Sequence, residues 1–480
     1  IRRKKMKKKE TRGGFSSSLG FILAAAGSAI GLGNLWRFPY LAAKDGGGLF
    51  IVIYILFSLT FGFALMTTEI AIGRKTGLSP FQAYGKVDKR FKFIGVLATL
   101  VPVLIFPYYC VIGGWVTKYA FTYATGGASQ IREVGPNQFF GNFITAQASP
   151  IIWFLVFMAL TAVVVILGVD KGIEKASKIM MPILAVLIIG ISVYSLTLKH
   201  TDENGVTRTA LEGLKIYLIP NLDGITPSKF VTVALDAMGQ MFYSMSLAMG
   251  IMITYGSYCR KDSNLISSVN QIEIFDTAVA LFAGLIMIPT VYAFQGREGL
   301  SQAGPGLMFK ALPAIFEEMG KLGEVVGACF FLLVLFAALT SSISLMETVA
   351  SVFIDRFKMS RPKATGVTFI CSVLIGVTVC LGYNVWYFEA TLPNGATGQQ
   401  ILDVLDYVSN SILMPIVAIL TCVLIGWVAK PEYVVDEVKQ GIGNKKFRRE
   451  KLYVVMMKFI APVLLFLIFL QAFNVFSFLK

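Results

Sequence analysis

Histidine and charged residues are scarce in this chain of 480 residues. The only histidine, His200, lies in the polar stretch "KHTDENG". The scarcity of histidine and the position of His200 in a polar stretch argue against a histidine-based triad and against a histidine metal centre. The sequence also has no phosphate-binding glycine loop and no zinc-protease motif, so an enzyme is the least favoured class. Charged residues make up 15% of the chain, against about a quarter in soluble domains.

Cysteine is also sparse, and its spacing carries no metal or redox motif. The six cysteines lie in or near apolar segments, and no two of them form a CxxC pair. We interpret them as small buried hydrophobic residues.

Long apolar runs dominate what is present, since 55% of the residues are hydrophobic. A run of about 20 apolar residues is long enough to cross a bilayer as a helix. Eleven such segments are predicted, at 15–41, 48–74, 94–124, 150–168, 176–198, 228–257, 265–294, 322–355, 365–384, 399–428 and 453–478. The short alternating segments of a membrane β-barrel are absent. The composition therefore predicts an all-α polytopic membrane protein.

The net charge of +15 comes mainly from lysines and arginines in the N-terminal run "IRRKKMKKKETR" and in alternate loops. This distribution follows the positive-inside rule, so it indicates topology and argues against nucleic acid as a partner. It predicts a multi-pass protein of the plasma membrane with a cytoplasmic N-terminus and a C-terminus on the opposite side. The same distribution makes the lipid bilayer the expected surrounding.

Two of the predicted segments contain helix-breaking residues. The first includes "AGSAIGLGNLWRFPY", and the sixth includes "MFYSMSLAMGIMITYGSY". The sixth segment follows the first by five membrane crossings, an odd number, so the second copy would be inverted in the membrane. Interrupted helices at corresponding positions of two inverted halves are typical of secondary transporters and indicate the binding site. The alternative interpretation is that these small residues only permit close helix packing.

Polar residues inside the apolar segments support a binding function. Breaking a helix in lipid frees backbone groups, whose carbonyls can bind a cation and whose amides can bind a carboxylate. Asn34 adds an amide oxygen. Asp276 is an intramembrane carboxylate, and because such a group is energetically costly it is a functional candidate. A third cluster, "LTSSISLME", supplies hydroxyl groups. Hydroxyls of this kind also bond back to their own helix, which is the structural alternative.

The motifs "GSAIGLGNLWRFPYLAAKDGGGLF", "YYCVIGGW", "MFYSMSLAMG" and "LTSSISLME" resemble those of the neurotransmitter:sodium symporters, in the same order and across essentially the whole chain. The resemblance implies a LeuT-type fold with discontinuous helices 1 and 6. Its divisions would be a basic tail at 1–14, a five-helix repeat at 15–198, an inverted repeat at 228–428 and an eleventh helix at 453–478. It also implies a sodium-coupled importer that works by alternating access.

The resemblance further implies the site residues. The substrate would contact Ala29, Leu32, Gly33, Ile105, Tyr109, Tyr243, Ser244, Ser246, Met249, Ser342 and Leu345. One sodium site would use Ala29, Asn34, Ser244 and Asp276. The other would use Gly27, Ile30, Ala337, Thr340 and Ser341. No organic cofactor is expected. The outer gate would pair Arg37 with Asp406, and the inner gate would pair Arg12 with Asp355 beside Tyr258.

Two positions refine the implied substrate and ion requirements. Monoamine carriers of this family place an aspartate where this chain has Gly31, so the resemblance implies a substrate with its own carboxylate. The apolar lining favours a neutral, hydrophobic or aromatic L-amino acid. Asp276 would supply the negative charge that chloride supplies in animal relatives, which implies chloride-independent transport. The alternatives are a non-transporting amino-acid sensor of the same fold and a channel. The oligomeric state is not readable from the sequence.

Overall fold

A computed structural model describes residues 13–202, 205–222, 225–301, 304–443 and 446–476. The predicted basic tail at 1–14 therefore lies almost entirely outside the described residues. The helices of the first part of the chain are α1 (Ser18–Ala29), α2 (Phe38–Lys44), α3 (Gly48–Phe57), α4 (Phe63–Thr76), α5 (Pro80–Val87), α6 (Lys92–Ala124), α7 (Ala128–Val134), α8 (Pro136–Thr145), α9 (Ser149–Ile166) and α10 (Lys175–Ser195).

A short antiparallel hairpin follows, in which β1 (Lys199–Thr201) pairs with β2 (Thr207–Thr209). The remaining helices are α11 (Ala210–Leu218), α12 (Pro227–Ser244), α13 (Ile251–Ser257), α14 (Leu265–Gly299), α15 (Leu312–Glu318), α16 (Lys321–Phe357), α17 (Arg361–Leu381), α18 (Ile401–Asp406), α19 (Met414–Val423), α20 (Glu432–Ile442), α21 (Glu450–Val455) and α22 (Ala461–Gln471).

Wider π-helical turns join several of these helices into longer continuous helices. They lie at Gly33–Arg37, Ser58–Gly62, Val169–Glu174, Leu307–Ala311, Tyr407–Leu413, Leu424–Val428 and Met456–Ile460, and a 3₁₀ turn lies at Lys89–Phe91. Such turns occur frequently at functional sites and bends. The turn at Gly33–Arg37 continues directly into α2. The first predicted segment therefore forms two helical parts, α1 and the turn with α2, separated by a short break.

Nine helices in the described part of the chain are long and apolar enough to cross a membrane. They are Gly48–Thr76, Lys89–Ala124, Ser149–Ile166, Val169–Ser195, Leu265–Gly299, Lys321–Phe357, Arg361–Leu381, Ile401–Val428 and Glu450–Gln471. A tenth candidate is the pair Ser18–Ala29 and Gly33–Lys44, which bends by 53°. The predicted segment 228–257 forms two separate helices, α12 and α13, so the count of eleven crossings stays a prediction.

The core of the bundle lies where α1 packs against α14 and α16, and where α16 packs against α6. Several buried residues of α1 are small, among them Ala24, Ala25 and Ala26. Small residues let helix backbones approach closely in a membrane. The packing therefore brings the end of α1 against the hydroxyl-bearing face of α16.

Close packing between α4 and α13 depends on glycine. A β-carbon on Gly73 would overlap the backbone of Ile253, and one on Gly256 would overlap the backbone of Ile70. This contact fixes the short helix α13 against the long helix α4. The break that precedes α13 is consequently held at a defined place beside α4.

A buried carboxylate marks the turn between α2 and α3, outside the spanning segments. Asp45 is 4% exposed, and its Oδ2 atom has no hydrogen-bond partner in the described part of the chain. Burial, together with the nearby Asp236 carboxylate, raises the pKa of Asp45 to about 7, and Lys44 opposes this shift. Lys44 also forms an ion pair with Asp236, with Nζ 2.9 Å from Oδ2.

Replacing Asp45 with asparagine should change how stability depends on pH. The folded protein holds the Asp45 proton up to about pH 7, whereas an unfolded aspartate loses it near about pH 3.9. Stability in the parent therefore falls as pH rises from about 4 to about 7, since the folded state binds the proton more tightly there. Asp45→Asn should flatten this decline and raise the melting temperature at pH 8. Thermal unfolding at pH 5 and pH 8 would measure both effects; an identical decline in the two proteins would contradict this account.

Candidate functional site

The first helix break lies between α1 and the π-helical turn that begins at Gly33. Ile30 has an extended conformation, with φ −75° and ψ 97°, which ends the helix. The amide of Gly31 donates to Asn34 Oδ1 at 3.1 Å, and the amide of Asn34 donates to the Gly31 carbonyl at 3.2 Å. The asparagine thus replaces part of the helical hydrogen bonding that the break removes. The break frees other backbone groups beside it.

The second break lies between α12 and α13. Three residues there have left-handed backbone conformations: Ser246 (φ 53°), Ala248 (φ 60°) and Gly250 (φ 71°). Such a conformation is strained for Ser and Ala and needs support from its surroundings. Glu69 of α4 provides some of it, because its Oε1 atom accepts a hydrogen bond from the Ala248 amide at 2.6 Å.

The two breaks contact each other directly. The Ser246 hydroxyl donates to the Ser28 carbonyl at 2.9 Å, and the Ser28 hydroxyl lies 2.6 Å from the Ser344 hydroxyl of α16. Three elements therefore meet through hydroxyl and carbonyl groups at the level of the breaks. Polar pairing of this kind is needed where water does not reach the backbone.

A small cavity lies between the two breaks. Its lining consists of Ser28, Ala29, Gly31, Leu32, Gly33, Asn34, Ile105, Tyr109, Tyr243, Ser244, Ser246, Met249, Ile251, Ser341 and Leu345. All the residues that the sequence analysis assigned to the substrate, except Ser342, belong to this set. Ser28 and Ile251 are the residues in this lining that the sequence analysis did not assign.

Ser342 does not line this cavity. Its hydroxyl lies 2.8 Å from the Thr161 hydroxyl of α9 and donates to the Leu339 carbonyl at 2.9 Å. Adjacent residues on a helix point about 100° apart, so Ser341 and Leu345 share the cavity face while Ser342 turns toward α9.

One cluster of oxygen atoms surrounds Asp276 beside the cavity. Its Oδ1 atom accepts from Asn34 Nδ2 and from the Ser244 hydroxyl, each at 2.8 Å. Its Oδ2 atom accepts from the Tyr54 hydroxyl at 3.1 Å. Asp276 and Tyr54 are both 0% exposed. The structure thus brings the predicted Asn34, Ser244 and Asp276 together and adds Tyr54, which the sequence analysis missed.

A second cluster forms where α16 meets the end of α1. The Ser341 hydroxyl lies 3.5, 3.1 and 3.2 Å from the carbonyls of Gly27, Ser28 and Ile30. The Thr340 hydroxyl lies 3.0 Å from the Ala337 carbonyl. A β-carbon on Gly27 would lie 3.1 Å from Thr340 Cβ, so the two helices are in contact here.

All five residues assigned to the second sodium site therefore converge in this cluster. They are Gly27, Ile30, Ala337, Thr340 and Ser341. Their oxygens are carbonyls and hydroxyls, which are hard ligands suited to hard cations. In the described part of the chain, no three His, Cys, Asp or Glu residues group together as a metal site.

Tyr243 separates this cavity from a larger outer cavity, because it lines both. The guanidinium of Arg37 lies 5.8 Å from the centre of its ring. Asp406 accepts hydrogen bonds from Tyr108 at 3.0 Å and from Asn410 at 2.6 Å. No ion pair within 4.0 Å joins Arg37 to Asp406, although both residues are described.

The inner gate is only partly described. Arg12 lies outside the described residues, so its predicted pairing with Asp355 has no structural account here. Asp355 accepts a hydrogen bond from the Ser79 amide at 2.7 Å. The Tyr258 hydroxyl donates to Glu347 of α16 at 2.6 Å. Tyr258 and Asp355 therefore both take part in polar contacts on the side where α16 ends.

The arrangement defines a class of protein: a helical membrane transporter whose binding cavity lies between two paired helix breaks. The sequence profile of the Sodium:neurotransmitter symporter family matches residues 12–128 and 144–480, and the chain belongs to this family. The family confirms the resemblance found in the sequence. It also confirms that the chain is a transporter and not an enzyme.

Individual relatives agree with this assignment. The uncharacterized sodium-dependent transporter YhdH of Bacillus subtilis is 34% identical over 467 residues, which cover 97% of this chain and 98% of YhdH. An uncharacterized sodium-dependent transporter of Haemophilus influenzae is 30% identical over 471 residues, covering 95% of this chain and 97% of the relative.

A solved structure confirms the fold class. The crystal structure of MhsT in complex with L-phenylalanine superimposes with a TM-score of 0.83 at 35% identity, covering 96% of this chain and 100% of MhsT. The protein is thus a multi-pass membrane protein with the LeuT fold. It is a sodium-dependent symporter that uses Na⁺ and carries a small molecule.

Glu69 should be needed to hold the second break. Glu69→Ala would leave the Ala248 amide buried without an acceptor, which costs about 1–3 kcal/mol. We expect a lower melting temperature and faster hydrogen exchange at 245–250, measured by thermal unfolding and mass spectrometry. Glu69→Gln keeps an acceptor oxygen and is the matched control. Equal effects of the two variants would show that the bond to Ala248 does not support the break.

Proposed function

We propose that the protein imports a neutral, hydrophobic or aromatic L-amino acid together with Na⁺ by alternating access. The single observation that carries the proposal is the cavity between the two breaks. It combines freed backbone groups at one end with the apolar side chains of Ile105, Met249, Ile251 and Leu345. The similarity to MhsT, which was crystallised in complex with L-phenylalanine, supports a substrate of this class.

The substrate carboxylate would bind the amides of Leu32 and Gly33 and the hydroxyl of Tyr109. The Tyr109 side chain is buried, and its hydroxyl lies close to the Ser341 hydroxyl and to the Leu32 amide at the first break. A β-carbon on Gly31 would lie 3.2 Å from this hydroxyl, so the tyrosine reaches the first break. A substrate carboxylate bound here would accept a hydrogen bond from this hydroxyl.

The substrate ammonium would be held by oxygens at the two breaks. Ala29, Tyr243, Ser244 and Ser246 supply them, and all four residues line the cavity. An ammonium group has three donors and no acceptor, so carbonyl and hydroxyl oxygens suit it.

Two sodium ions would bind beside the substrate. The first would take oxygens of Ala29, Asn34, Ser244 and Asp276, together with the substrate carboxylate. The second would take those of Gly27, Ile30, Ala337, Thr340 and Ser341. Because Asn34 and Ser244 belong both to the cavity lining and to the Asp276 cluster, occupation of the first ion site would favour substrate binding.

Asp276 would make transport independent of chloride. Its carboxylate lies within the cluster around the first ion site and is surrounded by three hydrogen-bond donors. A fixed negative charge at this position balances the charge of a bound cation without a second, mobile ion.

The sodium gradient would drive the cycle across a membrane in which the N-terminus is cytoplasmic and the C-terminus lies outside. Each positive charge that crosses 100 mV gains about 2.3 kcal/mol. Tyr243 and Arg37 would close the outer path after the substrate binds, and Asp406 would approach Arg37 in that step. The inner gate would then open toward the cytoplasm.

Ser341→Ala should weaken Na⁺ binding, because it removes the hydroxyl that faces the carbonyls of Gly27 and Ile30. Loss of one ligand to a charged group corresponds to about tenfold or more in affinity. Sodium titration of substrate binding would measure the shift. Ser342→Ala is the matched control, since it removes a neighbouring hydroxyl that faces α9. An unchanged sodium midpoint in Ser341→Ala would exclude this residue as a ligand.

Gly31→Asp should abolish amino-acid uptake. A β-carbon at this position already lies 2.9 Å from the Ser341 hydroxyl, and the added carboxylate would repel the substrate carboxylate. Uptake of radiolabelled amino acid by proteoliposomes measures the loss. Gly31→Ala separates steric from electrostatic effects, because it adds the β-carbon without charge. Near-normal uptake by Gly31→Asp would place the substrate carboxylate elsewhere.

A further inference from the structure

The short segment before α1 is attached to the rest of the protein on one side through α13. The Phe15 amide donates to the Tyr258 carbonyl at 3.1 Å. The Phe15 ring, which is 4% exposed, packs edge-on against Tyr255 and Tyr258 at 5.6 and 6.4 Å. The Ser18 hydroxyl lies 3.2 Å from that of Ser263. These contacts place the start of α1 against the loop that follows α13.

On the other side, one carboxylate holds the same segment. Glu174 Oε2 accepts from the Ser16 amide at 2.7 Å, and its Oε1 accepts from the hydroxyls of Ser16 and Ser17 at 2.7 and 2.8 Å. Lys178 adds a fourth donor, with Nζ 2.7 Å from Oε1. Glu174 is 1% exposed. Hydrogen bonds to an ionised carboxylate are about twice as strong as neutral ones.

The geometry around Glu174 is tightly fitted to the start of α1. Ser17 caps this helix by accepting the Gly20 amide at 3.0 Å, while its hydroxyl donates to Glu174. A β-carbon on Gly20 would overlap the Glu174 carboxyl group. The negative charge also lies near a helix N-terminus, which the helix dipole favours. Ser17 therefore binds the Glu174 carboxylate, and the absence of a side chain at Gly20 leaves room for it.

Glu174 lies at the junction between a π-helical turn and α10, opposite the start of α1. It is the last residue of the π-helical turn at Val169–Glu174, directly before α10. The helix α1 ends at the first break, so α1 and α2 do not form one continuous helix. Any tilt that moves the start of α1 away from the bundle must break the bonds to Glu174. The same tilt would displace Gly27, whose carbonyl belongs to the Ser341 cluster.

We propose that Glu174 is a positioning residue of the inner gate: it ties the start of α1 to α10 and sets how readily α1 tilts away. It acts through Ser16 and Ser17 and contacts neither the substrate cavity nor the cluster around Ser341. Sodium bound between α1 and α16 would oppose the same tilt. Glu174 and Na⁺ therefore stabilise one closed arrangement from the two ends of α1. The functional meaning of this inference rests on the proposed import cycle.

Hydrogen exchange of the full chain in lipid nanodiscs tests the proposal without requiring transport. Glu174→Gln removes the charge and keeps the size of the side chain. We expect amides at 18–24 to exchange about tenfold faster in saturating Na⁺, as loss of a charge-assisted bond predicts. Amides at 38–44, in the other half of the broken segment, should be unchanged. Ser16→Ala, which removes one donor, should give an increase of about threefold.

A second readout separates gating from simple stabilisation. Because Na⁺ binds the closed arrangement, a smaller closed population raises the apparent sodium midpoint by the same factor. Glu174→Gln should therefore raise the Na⁺ concentration that half-protects α1 by at most about tenfold, a limit reached when α1 is mostly open without Na⁺. Glu324→Gln is the matched control, since Glu324 lies at the start of α16 and pairs with Arg132 at 3.7 Å. That control should leave both measurements unchanged.

Two outcomes would overturn the inference. Unchanged exchange at 18–24 in Glu174→Gln would show that the four hydrogen bonds do not restrain α1. A faster exchange spread equally over α1, α2 and α6, with an unchanged sodium midpoint, would show that Glu174 only stabilises the fold. Loss of amino-acid uptake in the parent protein would contradict the import proposal instead, because the exchange experiment does not depend on uptake.

Discussion

Backbone groups that a helix break exposes inside a membrane must find partners other than water, and the rest of this structure depends on that constraint. At the first break, Asn34 accepts the Gly31 amide, and Ser341 binds the carbonyl of Ile30. At the second, Glu69 accepts the Ala248 amide. The backbone between these contacts borders the cavity. Under the proposed function, the carboxylate of a zwitterionic ligand would bind backbone amides there, and its ammonium group and a hard cation would bind carbonyl oxygens. Ligand binding would therefore also stabilise the two breaks.

The constraint also accounts for the dependence on sodium. The Asp276 cluster draws on three elements, since Asn34 follows the first break, Ser244 ends α12 and Asp276 lies within α14. A cation among these oxygens would fix both breaks relative to α14. The second cluster joins α1 to α16 in the same manner. Ligands that bind one arrangement of these elements shift the population toward it, which is the physical content of coupling.

Much of the site could be predicted because a polar residue in an apolar segment is costly and needs a reason. This rule and the family motifs singled out Asn34, Asp276 and the hydroxyls of Thr340 and Ser341, whose roles as ligands stay predictions. It would also have located Glu69, which lies in the segment 48–74 and which the sequence analysis did not weigh. Glu174 gave no such signal, because it lies in the charged stretch between the segments 150–168 and 176–198. Tyr54 gave a weaker signal, because an aromatic residue in "FIVIYILF" is typical of core packing. Its partner Asp276 is 222 residues away along the chain.

The orientation of some side chains could not be predicted from the sequence, because it depends on how the helices pack. Ser342 was assigned to the substrate, but the rotation of α16 directs it to α9. Arg37 and Asp406 were expected to pair, whereas Arg37 lies near Tyr243 and Asp406 bonds to Tyr108 and Asn410. Side-chain rotamers and the degree of gate closure depend on tertiary packing, which apolar periodicity does not encode.

The most direct test of the central claim is uptake of radiolabelled neutral amino acids by proteoliposomes that contain the purified protein. Uptake would be compared with an inward Na⁺ gradient, with the gradient replaced by K⁺, and with chloride replaced by gluconate. The account predicts concentrative uptake of one or a few hydrophobic or aromatic amino acids that requires Na⁺ and persists in gluconate. Sodium-linked binding without uptake would contradict the importer and favour a sensor, and loss of uptake in gluconate would contradict the role of Asp276.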